Sequence, residues 1–160
     1  MVQICFVCLG NICRSPTAEG IMRKLVQDAG LENEILIDSA GTSAFHAGEP
    51  ADPRSRSAAQ ERGYTLTSKA RGFTRKDILK FHYIIAMDTT NKKNILDMCT
   101  SNEQREKIHL LRDFDPSSAP ESSVPDPYYG GTDGFRTVLN ICERGCTGLL
   151  QHIKNLHNYG

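Results

Sequence analysis

An apolar, partly β-branched run, Val2 to Val7, ends at Cys8 in a polar turn, and a helix start, Ser15-Pro16, follows within seven residues. This succession restricts the fold more than any other feature of the chain. So short an apolar run, flush against a turn, is a buried strand. Ser followed by Pro reads as an N-cap with Pro at the first helical position. Gly30 stands where such a helix would stop. The pattern then repeats. Ile35-Leu36-Ile37 is a second strand, opening into Asp38-Ser39-Ala40-Gly41. Asp52-Pro53 starts a helix closed by Gly63, and Thr74-Arg75-Lys76-Asp77 starts a short one. His82–Met87 is a third strand with a helix after it through Ile95-Leu96, and Ile108–Leu111 is a fourth. A long last helix carries Phe135, Val138, Leu139, Cys142, Cys146, Leu149, Leu150, Ile153 and Leu156 at three- and four-residue spacing, with Gly145 and Gly148 weakening it locally.

Strands separated by helices pair in parallel through right-handed crossovers. The expectation is therefore an α/β fold: one domain over residues 1–160, with a four-stranded parallel twisted sheet and helices on both faces. Ligands of such sheets sit beyond the carboxyl ends of the strands, at a topological switch point. Cys8, Ser39 and Asp88 fall at those ends. After the fourth strand, Asp113–Asp133 holds Pro116, Pro120, Pro125 and Pro127. A connection that long in a compact domain is usually functional.

Lys plus Arg number 19 and Asp plus Glu number 19. The balance leaves no electrostatic footprint for nucleic acid or an anionic membrane. Any bound anion must be held by local geometry. The apolar runs fall far short of the ~18 residues of a membrane span, and no export signal is read at the N-terminus. Six cysteines are too sparse for a disulfide scaffold. The expected location is cytoplasmic, with thiols reduced, so each cysteine serves either packing or chemistry.

One cysteine stands apart. Cys8-Leu9-Gly10-Asn11-Ile12-Cys13-Arg14-Ser15 joins the first strand to the first helix. A tight loop entering a helix N-terminus turns successive backbone N–H groups inward and, with the helix dipole, makes a phosphate-sized anion site. Gly10 and Asn11 tolerate the left-handed backbone such a loop needs. Arg14 adds a planar fork for two phosphate oxygens. The same field stabilises a thiolate: cysteines at helix N-termini can fall to pKa values of roughly 3.5–7.5. Cys8 is thus expected to be ionised at neutral pH and nucleophilic, with Ser15 donating a hydrogen bond to it. A lone cysteine would be read as packing; Cys, five residues, then Arg-Ser between strand and helix reverses that reading. A zinc site on Cys5 and Cys8 is discounted, because no second such pair exists. The five histidines show no metal spacing either, so no metal and no cofactor are expected. His46 is within reach of the site mouth, with surface or core the favoured reading.

Val7 to Pro16 resembles the signature loop of the low-molecular-weight protein tyrosine phosphatases. Asp38-Ser39-Ala40-Gly41-Thr42, Ala86-Met87-Asp88 and Asp126-Pro127-Tyr128-Tyr129 resemble that family's later segments, in order and over the whole chain. The resemblance implies metal-independent hydrolysis of phosphotyrosine through a phosphocysteine. Cys8 would attack phosphorus. Asp126 would protonate the leaving phenolic oxygen and then serve as base for water. Leu9 through Ser15 would bind phosphate, with Asn11, Ser15 and Ser39 supporting the loop. Leu9, Ile12, Phe45, Tyr128 and Tyr129 would wall the slot for the aromatic ring. Implied partners are phosphotyrosine-containing proteins, with inorganic phosphate as product, for a monomer or weak dimer. Two departures stand out: Ser68, where many animal members carry histidine, and Phe45, where a tryptophan or tyrosine is usual.

Asp88 is read as structural, orienting an arginine or capping its helix. Cys13, in the same loop as Cys8, is a candidate redox partner able to form a disulfide that spares Cys8 from further oxidation. Cys5, Cys99, Cys142 and Cys146 are read as packing. Three other functions compete. Arsenate reduction on the same fold would want a further cysteine pair, whereas Cys99 stands alone. Protein-arginine phosphatases tend to have threonine at the place of Ile12. A non-catalytic phosphotyrosine-binding module would be expected to lack Cys8 or Asp126.

Overall fold

The computed structural model describes residues 1–128 and 131–159. Strands β1 (Val2–Cys8), β2 (Ile35–Gly41), β3 (Tyr83–Ala86) and β4 (Ile108–Leu110) form one parallel sheet in the order β2-β1-β3-β4. The helices are α1 (Arg14–Asp28), α2 (Pro53–Gln60), α3 (Arg75–Lys80), α4 (Thr89–Leu96), the short α5 (Asn102–Arg105) and α6 (Thr132–His157). A 3₁₀ turn, Leu111–Phe114, follows β4. Helix α5 and this turn lie in stretches too short and too polar to carry a periodic signal.

Strand alternation sorts the side chains onto two faces. Ile4 and Phe6 of β1, Ile35 and Ile37 of β2 and Ile85 of β3 pack against Ile21, Met22 and Val26 of α1 and Val138, Leu139, Cys142 and Ile153 of α6. Cys5 and Val7, with Ile84, Ala86 and Leu110, pack on the other face against Ile78, Phe81 and Ile95 around α3 and α4. Both faces are covered, as all-parallel sheets require. Each fully buried Ile or Phe here is worth about 1.5–3 kcal/mol.

Helix α1 ends as its sequence suggests. Gly30 takes φ 72°, and the N–H groups of Gly30 and Leu31 bond back to Gln27 and Val26, closing a Schellman turn. Its start differs from expectation. The N-cap is Cys13, without a side-chain cap, and the helix already runs through Arg14 and Ser15. The Ser15 hydroxyl does not cap because it is engaged within the loop, as described below. Gly145 and Gly148 also differ: α6 runs through both. A Cβ on Gly145 would lie 2.6 Å from Leu111, and one on Gly148 would lie 1.8 Å from the Phe114 carbonyl oxygen. These glycines let the helix press onto the 3₁₀ turn. Strand β3 is shorter than His82–Met87, and Leu111 leaves β4 for the 3₁₀ turn. Both are differences of a residue or so at element ends.

Strand β1 lies between β2 and β3, so the connections leaving β1 and β3 diverge to opposite sides of the sheet. The crevice this opens at the carboxyl ends is the switch point.

Candidate active site

The loop 8–15 is held from outside. The carbonyls of Cys8, Leu9 and Ile12 accept from the N–H groups of Thr42 (2.9 Å), Ser43 (3.0 Å) and Asp52 (2.8 Å). In a planar trans peptide the N–H points opposite to the carbonyl. The N–H groups of Leu9, Gly10 and Cys13 are therefore turned into the concavity. The N–H groups of Arg14 and Ser15 at the start of α1 join them, which makes a nest for a tetrahedral oxyanion. Asn11 takes the left-handed conformation at φ 58°, while Gly10 is not among the residues of positive φ. The want of a side chain at Gly10 serves another purpose: a Cβ there would sit 3.1 Å from Cδ2 of His46.

Cys8 lies at the floor, 3% exposed. Its Sγ accepts from the Asn11 N–H at 3.3 Å and stands 3.0 Å from the Ser15 hydroxyl. Asn11 Nδ2 donates to Ser15 Oγ at 2.7 Å and to Ser39 Oγ at 3.0 Å, and its Oδ1 accepts from the Arg71 N–H at 3.1 Å. Because Ser15 Oγ already accepts from Asn11, its own hydrogen is left for the sulfur. A thiolate at this position is stabilised by two donors.

Arg14 is 4% exposed, and its Nη1 donates to Asp88 Oδ2 at 2.6 Å and to the Val124 carbonyl at 3.0 Å. Burial opposes its charge, but Cys8, Asp88 and Asp126 outweigh that and hold its pKa above the ordinary value. Asp88 also caps α4 by accepting from the Asn91 N–H at 2.6 Å. It thus both orients the arginine and caps its helix, the two roles the sequence left open. Asp126 comes from the long loop, with Oδ2 at 3.6 Å from Arg14 Nη2, and is 42% exposed. Its Oδ1 accepts from the Tyr128 N–H at 3.0 Å. The loop is pinned to the end of β3 where the Val124 N–H meets the Met87 carbonyl.

These groups share one cleft, lined by Cys8, Leu9, Gly10, Ile12, Cys13, Arg14, His46, Asp126 and Tyr128. Phe45 is not in that lining; it is 84% exposed and meets the His46 ring edge-on at 5.0 Å. His46 takes the place in the wall, with Nδ1 2.9 Å from Glu49 Oε2. Nothing in the spacing separated His46 from Phe45, because a tight turn decides which of two neighbours faces inward. Tyr128 is backed by the Arg54 guanidinium, 5.4 Å from its ring centroid. Tyr129 lies outside the described residues. Burial pushes the Cys13 thiol up to about 12, with the Ser55 hydroxyl opposing, so Cys13 is a neutral thiol beside Cys8 at neutral pH. Cys5, Cys99, Cys142 and Cys146 are buried.

Two further residues reach the loop without having drawn notice in the sequence. Arg71 holds Asn11 through its backbone, and its guanidinium bridges Asp38 and Asp77. Glu19 accepts the Ser39 hydroxyl from inside α1. Only folding brings them near Cys8.

The low molecular weight phosphotyrosine protein phosphatase family model matches residues 3–158. The low molecular weight protein-tyrosine-phosphatase of Streptomyces coelicolor is 41% identical over 153 residues, 95% of this chain and 93% of its own. The low molecular weight phosphotyrosine protein phosphatase of Gallus gallus is 41% identical over 152 residues, 93% and 94% of the two chains. A crystal structure of a protein tyrosine phosphatase from Entamoeba histolytica superposes with a TM-score of 0.91 at 41% identity, covering 99% of each chain.

Proposed function

The chain belongs to the low molecular weight phosphotyrosine protein phosphatase family, and on that premise we propose that it hydrolyses phosphotyrosine in proteins, and small aryl phosphates, through a phosphocysteine. The observation that carries the reading is the meeting of a floor cysteine, a fixed arginine and a loop carboxyl across one cleft.

The non-bridging phosphoryl oxygens take the nest N–H groups and the free edge of Arg14. There they neutralise the charge that spreads over these oxygens in a loose transition state. The Cys8 thiolate attacks phosphorus in line. The bond to the phenolic oxygen breaks, and Asp126, as the acid, gives that oxygen its proton. Phenolate is a poor leaving group at neutral pH, and a positioned acid contributes typically 10²–10⁴-fold. In the second step Asp126, now a carboxylate, takes a proton from water as that water attacks phosphorus. The thiolate leaves toward the Ser15 hydroxyl, and inorganic phosphate departs. With the sulfur at the cleft floor, an aryl phosphate reaches it more readily than the shorter phosphoserine. Ile12 and Tyr128 in the walls favour an aryl ester over phosphoarginine or arsenate.

The redox role of Cys13 belongs to the same reading. Peroxide converts the Cys8 thiolate to a sulfenic acid, the Cys13 thiol displaces water from it, and a Cys8–Cys13 disulfide results. Cytoplasmic residence, a single domain over 1–160, and a monomer or weak dimer without nucleic-acid or membrane partners rest on the sequence arguments alone. The test is turnover of phosphotyrosine peptides and para-nitrophenyl phosphate in EDTA, with block by vanadate. Thioredoxin-coupled arsenate reduction without any phosphatase turnover would overturn the assignment.

A further inference from the structure

Glu19 is a buried carboxylate that the reaction itself does not use. It is 4% exposed on α1, behind the loop that carries Cys8. A charge there needs a partner and hydrogen bonds to be tolerated. It has both. Oε1 accepts the hydroxyl of Ser39, and Oε2 accepts from Arg23 Nε at 3.1 Å and Nη2 at 2.6 Å. Arg23 Nη2 also donates to the Ile37 carbonyl at 2.8 Å, which fixes the pair against β2. The Glu19 carboxylate thus ends an unbroken series of contacts. Ser39 Oγ accepts from Asn11, Asn11 also donates to Ser15, and Ser15 stands 3.0 Å from Cys8 Sγ. Asn11, Ser15 and Ser39 are each 2% exposed or less.

The direction of this series is set from the Glu19 end. A carboxylate only accepts. Ser39 must therefore donate toward Glu19 and offer its lone pairs to Asn11. Asn11 is then held with its amide nitrogen on Ser39 and Ser15, and the Ser15 hydrogen is free for the sulfur. A neutral acceptor could do the same, so the charge needs its own account. An uncompensated negative charge behind Cys8 would oppose a thiolate through a poorly screened interior. Arg23 supplies the compensation.

The geometry points to a neutral anchor. We propose that Glu19 and Arg23 are positioning residues: Glu19 orients Ser39, Asn11 and Ser15 toward the nucleophile, and Arg23 cancels the carboxylate's field at Cys8. The proposal rests on the phosphocysteine reading above but goes beyond it, since neither residue touches substrate. Ser68 borders the same small recess as Glu19 and Arg23, so the polar surroundings of this carboxylate include a hydroxyl where many animal relatives place a histidine.

The experiment is the pH dependence of Cys8 alkylation by iodoacetate, read alongside kcat and KM for para-nitrophenyl phosphate. Alkylation needs no turnover, so it separates failure of this proposal from failure of the functional one. In Arg23→Met the midpoint of alkylation moves upward by about half a unit or more. Adding Glu19→Gln to that variant brings the midpoint back, because charge and countercharge are then both gone. Glu19→Leu lowers kcat about tenfold with little change in KM, while Glu19→Gln, which keeps an acceptor for Ser39, recovers most of that loss. Thermal melts accompany each variant, and Glu19→Gln serves where Glu19→Leu does not fold. An unmoved midpoint in folded Arg23→Met, or a midpoint the double variant does not restore, would overturn the role of Arg23. A Gln variant as slow as the Leu variant would overturn that of Glu19.

Discussion

The two sides of the cleft are built to different standards. On the nucleophile side Cys8, Asn11, Arg14 and Ser15 are each 4% exposed or less, and the carbonyls of Cys8, Leu9 and Ile12, the asparagine side chain and the serine hydroxyl are engaged. On the acid side Asp126 is 42% exposed and stands in a loop held to the sheet end by the Val124–Met87 bond and by Arg14. The difference follows from what each side must recognise. The phosphoryl group is the same in every substrate, so its cradle can be rigid and prepaid. In the proposed reaction the leaving phenol is attached to a different protein each time, so Asp126, the proposed acid, is presented from an accessible loop. Preorganised donors act where charge develops and need no rearrangement at the moment of reaction.

If that contrast is right, damage on the rigid side costs most. Cys8→Ser should abolish para-nitrophenyl phosphate hydrolysis, by about 10⁴-fold or more, since an alcohol at this position has no neighbouring base to activate it. The melting temperature should stay close to that of the parent, which separates lost chemistry from lost fold. Asp126→Ala comes next, with kcat down about 10²-fold or more at neutral pH. The deficit should shrink for aryl phosphates whose phenols are more acidic, because such leaving groups need no proton. A deficit that ignores leaving-group pKa would mean that Asp126 acts through Arg14 instead.

Asn11→Ala probes the support rather than the chemistry. It removes a residue suited to φ 58° together with donors to Ser15 and Ser39 and an acceptor for Arg71. A stability loss on the order of 2–3 kcal/mol is expected in urea titrations. Turnover should fall about tenfold, as the Ser15 hydroxyl loses the bond that aims it. A purely local role would give the stability loss without the change in kcat.

The contrast also explains what could be read in advance. Cys8, Arg14 and Ser15 were legible because one short loop contains them, and local backbone demands restrict which residues can stand there. Asp126 was legible only through resemblance, since an aspartate in a proline-rich loop is usually a turn residue; it makes such a turn with the Tyr128 N–H as well. Ser15 followed by Pro16 marks a helix cap by its neighbours in sequence, whereas its hydroxyl is claimed by Cys8 and Asn11. Gly145 and Gly148 looked like weaknesses in a helix until Leu111 and Phe114 were seen against them. Glu19 and Arg71 reach the loop across 20 residues to Ser39 and 60 to Asn11, distances over which periodicity is silent. Four parallel strands with helices on both faces followed from the strand–helix alternation; the strand order and the contacts that tune the site did not.

The mildest effect is expected where the acid-bearing segment begins. Asp115, 4% exposed, accepts from the N–H and hydroxyl of Ser117, the hydroxyl of Ser118 and Arg144 Nε at 2.9 Å, and so ties the segment to α6. Burial alone would raise its pKa, but the Ser117, Arg144 and Ser118 hydrogen bonds prevail and lower it to about 2. A carboxyl depressed in the folded state binds its proton more readily when unfolded, so it stabilises the fold above the unfolded pKa of ~3.9. That contribution is on the order of 2–3 kcal/mol and disappears as pH falls from about 5 to below 2. Asp115→Asn should therefore unfold at lower urea than the parent at pH 7, with the two curves converging below about pH 2. Its kcat should change less than twofold, because the loop reaches Asp126 only after a further attachment at Val124. A large loss of kcat with unchanged stability would mean that the acid is aimed from α6, and that its side of the cleft is as rigid as the other.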